Sequence, residues 1–173
     1  MEDSEFPLIH SGIKKRLRKK VKELKKLYYA TIDIDNANDF HSNCDNIPNT
    51  LVLIKTSGNR RFGGFTSVEW TSSAKGENKH DPNAFLFSLD KQKIYSYSGN
   101  KNAIYNRKTI GPKFGNYDFY INPNCQDEKN LFTFESYSGC IYNYNGDNNA
   151  LSEDGKNKGI YAVEYEVFQV IFE

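Results

Sequence analysis

Gly58-Asn-Arg-Arg-Phe-Gly-Gly-Phe-Thr-Ser-Val-Glu-Trp70 decides how the rest of the chain is read. Gly63 and Gly64 stand between Phe62 and Phe65, a pattern that suits a tight bend where a side chain would collide. Phe65, Thr66 and Val68 then favour a strand. A phosphate cradle needs its glycines to open a helix, and these lead into a strand, so the stretch reads as architecture.

Outward from it, the composition agrees. Twelve Tyr and twelve Phe against one Met and one Trp favour a sheet-rich core over a helical bundle. At 173 residues the chain fits one domain, which on folding buries roughly 70% of the surface its unfolded form exposes. After Pro48 the apolar pattern runs in short stretches of period two: Thr50 to Thr56, Arg61 to Thr66, Ala84 to Leu89 and Ile94 to Tyr97. Tyr117 to Ile121, Leu131 to Glu135, Cys140 to Tyr144 and Ile160 to Phe172 follow. Turn clusters such as Ser57-Gly-Asn, Asp81-Pro-Asn and Asn145-Gly-Asp separate them. About eight strands in this arrangement predict an α+β, mainly β chain, a two-sheet antiparallel β-sandwich flanked by short helices. Asn143 to Gly159 reads as a long surface loop.

Ahead of the strands, Ile13, Leu17, Val21, Leu24 and Leu27 fall at helical spacing, which predicts one amphipathic helix over 13–28 behind a tail of residues 1–12. Lys14, Lys15, Arg16, Arg18, Lys19, Lys20, Lys22, Lys25 and Lys26 cover its other faces. With Glu23 they give residues 11–27 a charge of +8, while residues 28–173 carry −4. Asn36 is placed to cap a second short helix holding Ala37, Phe40, His41 and Cys44.

Such a basic surface suits an acidic protein partner better than nucleic acid, because stacking aromatics are missing among the cations. A serine-hydrolase elbow does not occur. His41, Cys44, Cys125 and Cys140 offer four zinc-ligand types without a knuckle spacing, so isolated buried cysteines are the preferred reading and no metal or cofactor is expected. Glu164 and Glu166, two apart in the last strand, share a face, where a solvated strand surface is preferred over paired-acid chemistry. Three cysteines, no Asn-x-Ser/Thr acceptor, no apolar leader and no apolar run of ~20 residues point to the cytosol or the cytosolic face of an organelle.

Five ordered motifs carry a resemblance. Phe40-His-x-x-Cys-Asp45, Phe62-Gly-Gly-Phe-Thr-Ser-x-x-Trp70, Asp81-Pro-Asn-Ala-Phe-Leu-Phe-Ser-Leu89, Gly111-Pro-x-Phe-Gly115 with Asp118-Phe119, and Val163-Glu-x-Glu-Val-Phe-Gln-Val170 resemble the TLDc domain of oxidation-resistance proteins, with the domain taken as residues 29–173. Phe62, Gly63, Gly64, Thr66, Ser67 and Trp70 form its structural motif. Tyr29 and Ile34 stand where the family commonly has Arg and Gly. The resemblance implies a β-sandwich interaction module without an agreed catalytic activity, associated with protection against oxidative damage and with binding to the vacuolar-type proton-pumping ATPase. On that expectation the cations of residues 14–26, with Glu164 and Glu166, meet subunits of that assembly. The alternatives are an accessory subunit of a cytoskeletal or ciliary microtubule assembly, docking on tubulin, and a thiol-dependent antioxidant enzyme using Cys44 beside His41.

Overall fold

Leu51-Val-Leu-Ile54 is apolar at every position, which fits a strand buried on both faces. In the computed structural model, which describes residues 6–31, 36–99, 102–116, 118–123, 131–133, 141–147, 149–151 and 160–173, this run lies in an inner strand of a seven-stranded antiparallel sheet. Its strands are β1 (Val21–Thr31), β2 (Thr50–Thr56), β3 (Arg61–Thr66), β5 (Phe85–Ser88), β6 (Lys93–Tyr97), β11 (Tyr142–Asn143) and β12 (Ala162–Phe172), ordered β1-β12-β2-β3-β5-β6-β11. A second sheet of five strands, also antiparallel, runs β10 (Leu131–Thr133), β9 (Phe119–Ile121), β8 (Lys113–Phe114), β7 (Ile104–Asn106) and β4 (Glu77–Lys79).

Alternation along each strand sends side chains to two cores. Val52, Ile54, Phe62, Leu86 and Val167 join Ile104, Phe114, Phe119 and Ile121 of the second sheet, together with Phe40 and Cys44 of helix α2 (Ala37–Cys44). Phe62 meets Phe119 edge-on at 5.6 Å between ring centres, across the sandwich. Leu51, Leu53, Phe65, Phe85, Phe87 and Phe168 face the other way and are covered by Ile9 and Ile13 of helix α1 (Phe6–Leu17). The mainly β, two-sheet architecture is the one expected, with twelve strands among the described residues where about eight were read. β4, β7 and β8 are two or three residues long, too short to show a period.

Two expectations change. Gly63 and Gly64 do not make a bend: they lie inside β3, paired to Leu53 and Val52 on one side and to Phe87 and Leu86 on the other. The collision that motivated that reading is real, since a Cβ on Gly63 would stand 1.8 Å from the Val52 carbonyl oxygen. The single helix over 13–28 is also replaced. Helix α1 begins within the expected tail and ends at Leu17, where Arg18 turns into the left-handed region at φ 55° and its amide donates to the Lys14 carbonyl at 3.0 Å. Beyond it, Val21 and Leu24 are three apart yet on one side, because the register with β12 skips Lys22; Leu27 is skipped likewise. The first β-bulge lengthens the spacing of two between Val21 and Leu24 into one of three, which imitates a helix, whereas Leu24 and Leu27 pack into different cores.

The Asn-rich loop is pinned within its described part. Tyr144, Ala150 and Leu151 are buried, and Asp147 takes Lys91 at 2.5 Å and Lys93 at 3.3 Å. Its residues 148 and 152–159 lie outside the described set.

Candidate docking surface

The basic residues do not share one fate. Lys14 and Lys15 stand exposed on the last turn of α1, Arg18, Lys19 and Lys20 in the link after it, and Lys22 and Lys25 on β1. Arg16 is structural: its guanidinium donates to the Gly12 carbonyl at 3.0 Å and to Ser96 Oγ at 2.9 Å, and lies 4.6 Å over the Phe85 ring. Burial pulls its pKa below the ordinary arginine value. Lys20 is paired with Glu173 at 2.6 Å, Lys19 sits 5.0 Å over the Phe172 ring, and Lys26 pairs with Glu166 at 2.5 Å.

Glu164 and Glu166 share the face expected of them and are partnered within the sheet. Glu164 accepts from the Tyr29 hydroxyl at 2.8 Å and from Lys55 at 3.2 Å. The Tyr29 hydrogen bond, then Lys55, hold its carboxyl below the usual value. These contacts favour the solvated strand face over paired-acid chemistry. Tyr29 itself is 42% exposed, the exposed large aromatic among the described residues.

An open cleft of about 510 Å³, lined by Asn38, His41, Ser42, Asp45, Ser72 and Lys108, holds the other cluster of chemical interest. Ser72 Oγ donates to Asp45 Oδ2 at 2.5 Å, and Asp45 Oδ1 lies 2.7 Å from His41 Nδ1. His41 Nε2 faces the carbonyls of Arg107 and Ile110 at 3.0 and 3.1 Å. Nucleophilic catalysis needs the imidazole beside the hydroxyl with a nitrogen free. Here the carboxylate stands between them and both ring nitrogens are engaged, so the constellation clamps α2 to the loop at 107–110.

Cys44 fails the requirement of a reactive thiol. It is fully buried in the sandwich core, and burial, then the charge of Asp45, push its pKa up to about 12. Among the described residues no group of three His, Cys, Asp or Glu is placed to hold a metal, and Cys125 and Cys140 of the weighed zinc set lie outside the described residues.

The quoted motifs converge on one another. Asp81, buried, accepts from Thr66 Oγ1 at 2.8 Å, from the Ser67 amide at 2.6 Å and from Ser67 Oγ at 2.7 Å. Trp70 Nε1 donates to Thr50 Oγ1 at 2.8 Å, and its ring packs against Phe40 and Phe114. Asp118, also buried, accepts from the amides of Ile141 and Tyr142 and from the Tyr144 hydroxyl at 2.9 to 3.0 Å, tying one sheet to the other. Residues from all five motifs thus meet in the core between the two sheets. Residues 1–171 match the family described as the TLDc domain. The chain belongs to the TLDc domain family. A search of the curated proteins found no match.

The match takes in α1 and β1, which lie ahead of Phe40, where the first quoted motif begins. No helix among the described residues of this TLDc chain is long and apolar enough to cross a membrane. The sequence reading missed the placement of Tyr29 beside Glu164 and the open edge of β1, because both depend on the bulges that disguise the strand. A Tyr-Tyr pair at the end of the expected helix, Tyr28 and Tyr29, was the available signal for a strand there.

Proposed function

We propose that this TLDc domain is a non-enzymatic interaction module that docks through Lys14, Lys15, Arg18, Lys22 and Lys25 on an acidic surface of a large cytosolic assembly. The vacuolar-type proton-pumping ATPase, brought in by the family resemblance, is the first candidate. One observation carries the reading: these five cations are exposed, and none has an acidic partner among the described residues. Rim charges of this kind chiefly raise association rate and make binding salt-sensitive. The family's association with oxidative protection is then a consequence of what the domain binds, since Cys44 is buried.

The test is capture of partners from a lysate by the wild-type domain and by a variant carrying Glu at all five positions, with equal thermal unfolding of the two as a control. ATPase subunits held by the wild type, and released by the variant or by added salt, support the reading. Retention by the variant removes the basic surface from it. Capture of tubulin in place of ATPase subunits replaces the partner with the microtubule one.

A further inference from the structure

We infer that the outer edge of β1 accepts an acidic, extended segment of the partner as an additional strand. This rests on the reading of the basic surface as the docking site and says how the partner is held there. β1 is the terminal strand of its sheet: β12 takes one edge, and along Glu23 to Lys26 no backbone group of a described residue pairs with the other. An unpaired strand edge presents a row of N–H and C=O groups that another chain can complete.

Charge selects which chain. Residues facing one another on neighbouring strands lie roughly 5 Å apart, within reach of a salt contact. Lys22 and Lys25 are exposed along this edge, with Glu23 the single acid between them. A second copy paired with Lys22 opposite Lys25 would set lysine against lysine, whereas an acid-rich strand turns the same residues into attraction. The bulges bound the length of the contact. Glu23 to Lys26 keep an unbroken register with Ile171 to Phe168, so the edge is regular over four residues there, between the irregularities at Lys22 and Leu27. So short a regular stretch suits a reversible contact, in which charge supplies the approach and backbone hydrogen bonds supply the orientation.

The probe is a fluorescent peptide of about twelve alternating Glu and Thr residues, with two further versions N-methylated at the odd or the even positions. Methylation removes backbone donors from one edge and leaves the charge unchanged. The expected result is salt-sensitive binding of the plain peptide, loss of roughly tenfold or more in affinity for one methylated version only, and slowed hydrogen exchange at amides of residues 23–26. Equal binding of all three peptides, weakened by Lys22→Glu with Lys25→Glu, overturns strand addition and leaves the charged docking surface standing. Plain-peptide binding indifferent to that double variant overturns both, and no binding of any peptide overturns strand addition.

Discussion

Gly64 lies against Phe114: a Cβ on Gly64 would stand 2.7 Å from two carbons of the Phe114 ring, closer than packed atoms allow. The glycine of one sheet therefore makes room for the aromatic side chain of the other. Gly64→Ala is expected to cost about 1–3 kcal/mol through overpacking. Combined with Phe114→Leu, the loss is expected to be smaller than the sum of the two single losses, because the shorter side chain vacates the contact. Urea denaturation of the four proteins of the cycle measures this, and strict additivity would refute the steric account.

Asp118 gives the fold a pH dependence of unusual sign. Burial raises its pKa from 3.8 to about 6, only partly offset by the hydrogen bonds from Ile141, Tyr142 and Tyr144. A carboxyl with a raised native value stabilises the fold most below its unfolded value and loses that contribution as pH rises through about 6. Between pH 5 and 7 the loss is on the order of 1 kcal/mol. Glu69 and Glu164 have lowered values and Asp147 is lowered to about 2, so their stabilisation is lost only in more acid solution. Denaturation at pH 5 and 7 is expected to show a component of this sign in the wild type that Asp118→Asn removes; an unchanged slope in the variant would discard it.

Native Cys44 is expected to resist iodoacetamide. Its thiolate is scarce with a pKa of about 12, and its sulfur is enclosed. Site-resolved mass spectrometry should show alkylation of Cys44 rising at least about tenfold on unfolding in urea. Rapid labelling of the folded protein would restore the thiol mechanism.

Arg16 and Lys15 are neighbours with opposite duties. Arg16→Ala gives up two hydrogen bonds and the contact with Phe85, so a loss of about 1–2 kcal/mol is expected. Lys15→Ala should stay within about 0.5 kcal/mol and instead weaken partner capture. Thermal unfolding beside a binding assay separates the two, and a similar loss of stability in both would merge them.

Much of this was legible because burial on two faces writes itself into sequence. Leu51 to Ile54 and Phe85 to Phe87 lack polar interruptions, and both became inner strands. The Asn36 cap was legible for a local reason, since its side chain accepts from the amide of Asp39, three residues on, at 2.8 Å. What stayed hidden is tertiary. β4 is Glu-Asn-Lys, polar throughout, and is a strand because β7 pairs with it. β1 was read as helix because two skipped residues changed its period, and nothing local marks a bulge. For the docking surface, the sequence located every cation but not which were taken, because Ser96, Glu166, Phe172 and Glu173 come from distant segments.

The pairing of β1 with β12 also sets a timetable. Val21 meets Phe172 and Thr31 meets Glu164, so an early strand finds its hydrogen-bonding partner only when the last one has been made. At roughly 5–20 residues per second, a ribosome leaves β1 waiting on the order of ten seconds. Through that interval both of its edges are bare, and Lys22, Lys25 and Lys26 are the charges that keep one nascent chain from zipping onto the next.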